Sequence, residues 1–279
     1  MVIITLFVAF PVIWSLVVSF KNVNIFSLRS HSLLSIPGRF VGLKNYIAVF
    51  HDTLFLHSLW NTIYFSLTFI PATLILSLII AVQLNRGVRA VSYLRSLFFI
   101  PYVLPVVSIS IVFLFLFQGK QGIFNGMLQL IHLQGPNWLA STRWAMPVIA
   151  IMSTWRRLGY FMLIYLAGLQ NIPKEIYEAA DMDGATTWTR FWHVTWPMLK
   201  PVTFIVIILL IIDVFNVFQE IYIMTGGGPS NSTTTVPFLI YNEAFQYYQV
   251  GPAAAMSYVL FLAAIVVSTV QFAFLRRQR

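Results

Sequence analysis

Six stretches of this chain are apolar for long enough to cross a bilayer, and that leaves few folds open to it. They cover residues 2–20, 59–84, 97–117, 144–169, 202–224 and 253–275. A helix of about 20 mostly apolar residues spans some 30 Å of hydrocarbon. Charged residues make up only 9% of the sequence, against about 25% in an ordinary soluble domain. Lipid gives a backbone no hydrogen-bond partner, so a spanning segment has to satisfy its own amides as a helix. The expected fold class is an all-α polytopic membrane protein with six transmembrane helices, a single domain over residues 1–279. The first run lacks a basic leader and a small-residue cleavage site, and so reads as a span, not a signal peptide.

An even number of spans puts both termini on one side. The loops on that side (85–96, 170–201, 276–279) carry Arg86, Arg89, Arg95, Lys174, Arg190, Lys200, Arg276, Arg277 and Arg279. The opposite side carries Lys21, Arg29, Arg39, Lys44, Lys120 and Arg143. The positive-inside rule then places both termini and the loop 170–201 in the cytoplasm. The net charge of +9 is explained by these boundary residues. With no aromatic–basic stripe, nothing points to nucleic acid.

Several chemistries find no residues here. There is no cysteine, hence no disulfide and no thiolate metal site. No phosphate-binding Gly-x-x-x-x-Gly-Lys loop occurs, and Gly226-Gly227-Gly228-Pro229 reads as a turn on the outer face. His31, His51 and His57 share a loop without paired carboxylates. Neither a zinc-peptidase motif nor a nucleophile elbow is present, so the chain does not read as an enzyme.

Four of the eight carboxylates crowd into one polar stretch, EIYEAADMDGATTWTRFWHVTWPMLKP, residues 175–201. Its punctuation predicts a helix–turn–helix at the membrane surface. Pro173 opens the first helix, Glu175, Glu178 and Asp181 share a face, and Gly184 closes it. A second amphipathic piece runs over 187–196, with Pro197 and Pro201 expected to end it before the next span. An interfacial helix touching only lipid would set four acids against an anionic leaflet, which is unfavourable.

The order Glu178-Ala179-Ala180, three residues, Gly184, nine residues, Val194-Thr195-Trp196-Pro197 resembles the E-A-A-x3-G-x9-I-x-L-P loop of ABC-importer permeases. Val and Trp stand where that pattern has Ile and Leu, keeping the apolar character. The similarity extends along the chain to the carbohydrate branch of maltose and glycerol-3-phosphate permeases. It includes Phe40-Val41-Gly42-Leu43-Lys44-Asn45-Tyr46, Asn61-Thr62, Pro101, Pro105, Gly122, Asn125, Leu169-Gln170-Asn171-Ile172-Pro173 and Thr225-Gly226-Gly227-Gly228-Pro229. The resemblance implies the type I ABC importer permease fold in a prokaryotic cell membrane. It also implies a coupling loop over 170–201 that seats in a cytoplasmic ATPase dimer, through Glu178, Ala179, Ala180, Asp183, Gly184 and Pro197. A second, related permease chain and an extracytoplasmic solute-binding protein complete the expected assembly. Solute then crosses by alternating access, and ATP with Mg sits on the partner ATPase, leaving no cofactor on this chain. A carrier or channel working alone is the alternative; no inverted repeat supports it.

Charges inside spans are functional candidates. Arg156, Arg157 and Tyr160 lie in the fourth run, and Asp213, Asn216 and Gln219 or Glu220 recur at helical spacing in the fifth. Positions lining the sugar pathway in maltose-type permeases fall at or beside these residues. Two readings stay open. Arginines facing the pathway favour an anionic, sugar-like solute; Arg156 or Arg157 pairing with Asp213 or Glu220 holds helices together, and the two are compatible because a polar cavity also needs its charges paired.

Overall fold

The structure, a computed structural model, describes residues 7, 9–24, 26, 38–85 and 91–276. The start of the first apolar run, Arg29, His31, Arg86, Arg89, Arg277 and Arg279 lie outside the described residues. In chain order the helices are α1 (Phe10–Ser19), α2 (Lys44–His51), α3 (Thr53–Leu84), α4 (Val91–Val103), α5 (Val106–Leu116), α6 (Ile123–Leu130) and α7 (Ala145–Gln170). They continue as α8 (Lys174–Met182), α9 (Thr187–Arg190), α10 (Trp196–Phe215), α11 (Gln219–Met224), α12 (Val236–Tyr241) and α13 (Val250–Arg276). Between α1 and α2, the strands β1 (Lys21–Asn22) and β2 (Arg39–Phe40) pair antiparallel, Lys21 opposite Phe40.

Helix occupies each of the six apolar runs where it is described, but the expected count of six spanning helices is not reached by length and composition. Three uninterrupted helices are long and apolar enough, over Thr53–Leu84, Thr187–Phe215 and Val250–Gln271. The bent pair α4 and α5 makes a fourth if counted as one span.

Two expectations need correcting. The run 97–117 is not one helix, because the chain turns by 94° between Val103 and Val106. Pro105 supplies no N–H to continue α4 and disfavours helical backbone at Leu104 before it; with an extended ψ of 129° it is the N-cap of α5. Nor do Pro197 and Pro201 end the amphipathic piece before the fifth run. A π-helical turn over Phe191–Thr195 carries the chain from α9 into α10, with Pro201 inside that helix. The wider turn re-registers the backbone ahead of a residue that has no N–H to donate.

The described chain forms two compact units, residues 1–64 with 215–279, and residues 65–214. In the first, Val49 and Phe55 pack with Val236, Leu239, Ala255 and Met256. Asn45 Nδ2 donates to the carbonyls of Ser19 at 2.8 Å and Lys21 at 2.9 Å. Asn61 Nδ2 donates to the carbonyls of Asn231 and Thr234, at 2.8 and 2.9 Å. The amide of Val236 donates to Thr62 Oγ1 at 3.1 Å. Buried amides and carbonyls need such partners, so Asn45 ties α2 to the end of α1 and β1, and Asn61 and Thr62 fix where the loop after α11 lies against α3.

In the second unit, α4 and α7 come close enough for backbones to touch. A Cβ on Gly159 would collide with the Phe98 carbonyl. At Gly168 it would meet Val202 at 2.8 Å and Leu199 at 3.1 Å, so α7 and α10 also need a small residue at their contact. Asn125, nearly fully buried, closes the turn after α5. Its Nδ2 donates to the Gly119 and Pro136 carbonyls, and Trp138 Nε1 donates to its Oδ1 at 2.7 Å.

Candidate functional site

The surface hairpin 173–197 follows the predicted punctuation and adds ties that the sequence did not announce. Pro173 is the N-cap of α8. Gly184 follows the cap with φ +74°. Its N–H donates to the Asp181 carbonyl at 3.1 Å, and that of Ala185 donates to Ala180 at 3.0 Å. This pair of bonds is the Schellman closure, which satisfies carbonyls that the helix end would otherwise leave bare. Thr186 caps α9 by accepting from the Thr189 amide at 3.3 Å.

The two short helices are then joined side by side. Arg190 Nη1 lies 2.7 and 3.0 Å from the two carboxylate oxygens of Asp181, and its guanidinium sits 5.8 Å from the Tyr177 ring centre. The Tyr177 hydroxyl meets Thr195 Oγ1 at 3.2 Å. So of the acids expected on one outer face, Asp181 is taken up inside the hairpin. Glu175, Glu178, Ala179, Asp183 and Gly184 remain exposed, Ala180 is half-buried, and Pro197 is exposed in the first turn of α10. Among the described residues Glu178 has no ion-pair partner.

Within the second unit, Arg157 is 4% exposed and its Nε lies 2.9 Å from Asp213 Oδ2. The Phe69 ring centre is 5.4 Å from the same guanidinium. Arg157 therefore ties α7 to α10, which is one of the two readings open from the sequence. Arg156 is half-buried on the same helix, turned about 100° away because a helix has 3.6 residues per turn. Tyr160 stacks on Tyr102 with ring centres 4.6 Å apart.

Asn216 and Glu220 belong to the first unit. They do not continue a face begun by Asp213, because α10 stops at Phe215 and α11 restarts at Gln219. The break is held from a distance: Thr235 Oγ1 donates to the Val217 carbonyl at 3.2 Å, and Phe218 packs on Tyr222, Phe238 and Tyr241. Asn216 is exposed at the turn, and Glu220 is buried at 2% exposure. After α12, burial and then the neighbouring Asp52 carboxylate push Glu243 above its ordinary value of 4.5.

Residues 73–279 match the family model of the binding-protein-dependent transport system inner membrane component. The chain belongs to this family. It is therefore a multi-pass membrane protein and a transport permease subunit. Among curated relatives, it is 31% identical over 275 residues to the sulfoquinovosyl glycerol transport system permease protein SmoG of Agrobacterium fabrum, covering 99% of this permease and 87% of that one. It is 37% identical to the lactose transport system permease protein LacF of Rhizobium radiobacter, covering 96% and 89% of the two chains. Among solved structures, a chain of the bacterial alginate ABC transporter, in complex with an alginate pentasaccharide-bound periplasmic protein, superposes with a TM-score of 0.84. That match covers 99% of this permease and 91% of that chain, at 19% identity, and so bears on the fold.

Proposed function

We propose that this chain is one permease of an ATP-driven importer for a sugar or sugar-derived solute. A second, related permease, a cytoplasmic ATPase dimer and an external binding protein complete the assembly. The hairpin carries this reading: it is a rigid, self-tied surface element that leaves Glu178 exposed beside a left-handed glycine turn, at the spacing of an ATPase-docking loop. The carbohydrate class is supported by relatives named for sulfoquinovosyl glycerol, lactose and sn-glycerol-3-phosphate transport. In this reading the hairpin and both termini face the cytoplasm, and ATP with Mg is bound by the partner.

The geometry suggests how a push on the hairpin travels. The hairpin hangs between α7 and α10, joined to one at Pro173 and to the other through the π-helical turn. The Arg157–Asp213 pair ties the same two helices again, thirteen residues before the end of α7, about 20 Å along the axis at 1.5 Å per residue. A displacement of the hairpin thus moves both helices together. Arg156, Arg157, Tyr160, Asp213, Asn216 and Glu220 are the side chains assigned to the solute pathway. A polar pathway also needs its charges paired, so the Arg157–Asp213 bond is compatible with both residues lining it.

The test is ATP-dependent uptake by the co-expressed complex carrying Glu178→Ala, with recovery of the ATPase subunit followed in parallel. Loss of uptake with loss or uncoupling of the ATPase is the expected result. Normal uptake, indifferent to nucleotide, would return the chain to the class of self-contained carriers.

A further inference from the structure

The hairpin stands over a cavity of about 710 Å³ that the transport reading does not use. One wall is the last three turns of α3, with Leu74, Leu78 and Val82; the other is aromatic, with Trp188 and Trp192. Ile75 and Ile79, which also line it, are 53% and 50% exposed. Trp188 is 71% exposed. Water held here would find few polar partners. The polar side chains that do reach the lining include Gln83 in the last turn of α3, Asn85 just past its end, and Arg190 of α9.

The dimensions fit one occupant. From Leu74 to Asn85 is eleven helical steps, about 16 Å, or half of a hydrocarbon core some 30 Å thick. The wall therefore runs the depth of a single leaflet, from an apolar end to a polar, tryptophan-bordered end at the height where aromatic belts sit. Arg190 spends Nη1 on Asp181. A guanidinium has five N–H donors and suits phosphate oxygens.

We propose that this cavity holds one acyl chain of a phospholipid from the leaflet on the hairpin's side, with the phosphate at Arg190. The bound chain fills the gap between α3 and the aromatic face of the hairpin, so the hairpin rests partly on lipid. The site does not depend on the identity of the transported solute or on ATPase docking, and it can be tested apart from both.

The probe is phosphatidylglycerol with brominated acyl chains, which quenches tryptophan emission on contact. It is titrated into the intact, lipid-stripped complex in detergent. The expected result is saturable quenching that disappears in a Trp188→Phe, Trp192→Phe variant, both positions being exposed enough to change without harm to folding. Filling the cavity by Ile75→Phe with Ile79→Phe should abolish the saturable phase while leaving the tryptophans in place. Brominated diacylglycerol, which lacks the phosphate, should bind more weakly, and equal binding would overturn the role given to Arg190. Quenching that never saturates, or that is the same in all variants, overturns the site. So does the absence of saturable quenching in the complex, which would mean that another protein segment fills the groove. If Glu178→Ala leaves uptake intact while the saturable phase persists, the docking reading fails and the lipid site stands.

Discussion

Gly184 offers a prediction that separates backbone need from partner contact. Its φ is +74°, and a Cβ added there meets nothing within 4 Å in this chain. Space is therefore not what excludes other residues inside the permease; the left-handed backbone is. An alanine pays about 1–2 kcal/mol to hold that conformation, whereas Asn visits it readily. Alanine recovers about 0.4–1 kcal/mol by stiffening the unfolded chain, leaving a net cost of about 1 kcal/mol, or roughly a fivefold rise in hairpin opening. Hydrogen exchange at residues 184 and 185, whose amides close the turn onto Asp181 and Ala180, reads this directly. Exchange should quicken about fivefold in Gly184→Ala and change little in Gly184→Asn, on the same arithmetic. Wild-type exchange in the alanine variant would refute the conformational argument. Slow exchange in Gly184→Asn together with loss of ATPase recovery would show that the glycine is needed where the partner's surface approaches.

Gly159→Ala should lower the yield of folded permease sharply, since its Cβ strikes the Phe98 carbonyl; overpacking costs about 1–3 kcal/mol, and thermal stability in detergent checks it. Arg157→Met alone should destabilise by about 1–3 kcal/mol by removing the guanidinium from the partly exposed Asp213, and the double change to Met and Leu by less; a double-mutant cycle on the same assay decides. Arg190→Ala should cost no more than about 1 kcal/mol, because its pair with Asp181 is exposed, and exchange in α8 would show it. Because Glu243 is held above 4.5 by burial and Asp52, its contribution to stability is fully present below that ordinary value and is lost as pH rises through the raised one. Glu243→Gln should therefore gain on wild type only above that window, in a melting series against pH.

What the sequence made legible was local. Apolar runs marked where helix would be, and Pro173 and Gly184 bracketed α8, Pro173 as its cap and not its first helical residue, because proline and glycine act through their own backbones. What it hid was set by distant partners. No proline or glycine marks the end of α10 at Phe215; Thr235 and an aromatic cluster beyond it hold that break. Asn45, Asn61 and Asn125 stood in the sequence as parts of a family resemblance; the work of Asn125 as a clamp on its own turn, and of Asn45 and Asn61 on more distant carbonyls, needed the fold to be seen. Pro105 was visible, but the size of the turn it allows was not. The pairing of Arg157 with Asp213 was one of two readings left open, since spacing within one run cannot say which charge in another run it will face. The apolar cavity left no trace at all, because its walls come from segments about a hundred residues apart in the chain.

The hairpin's ties are short in sequence: the Schellman bonds, Asp181 with Arg190, and Tyr177 with Thr195 all close loops within eighteen residues. Contacts of this kind form on the fastest folding timescales and wait for nothing downstream. As the chain is synthesised, the element can close before α13 has left the ribosome. Its outward face is then on offer while the permease is still unfinished, and the order of assembly is open to a partner that binds early.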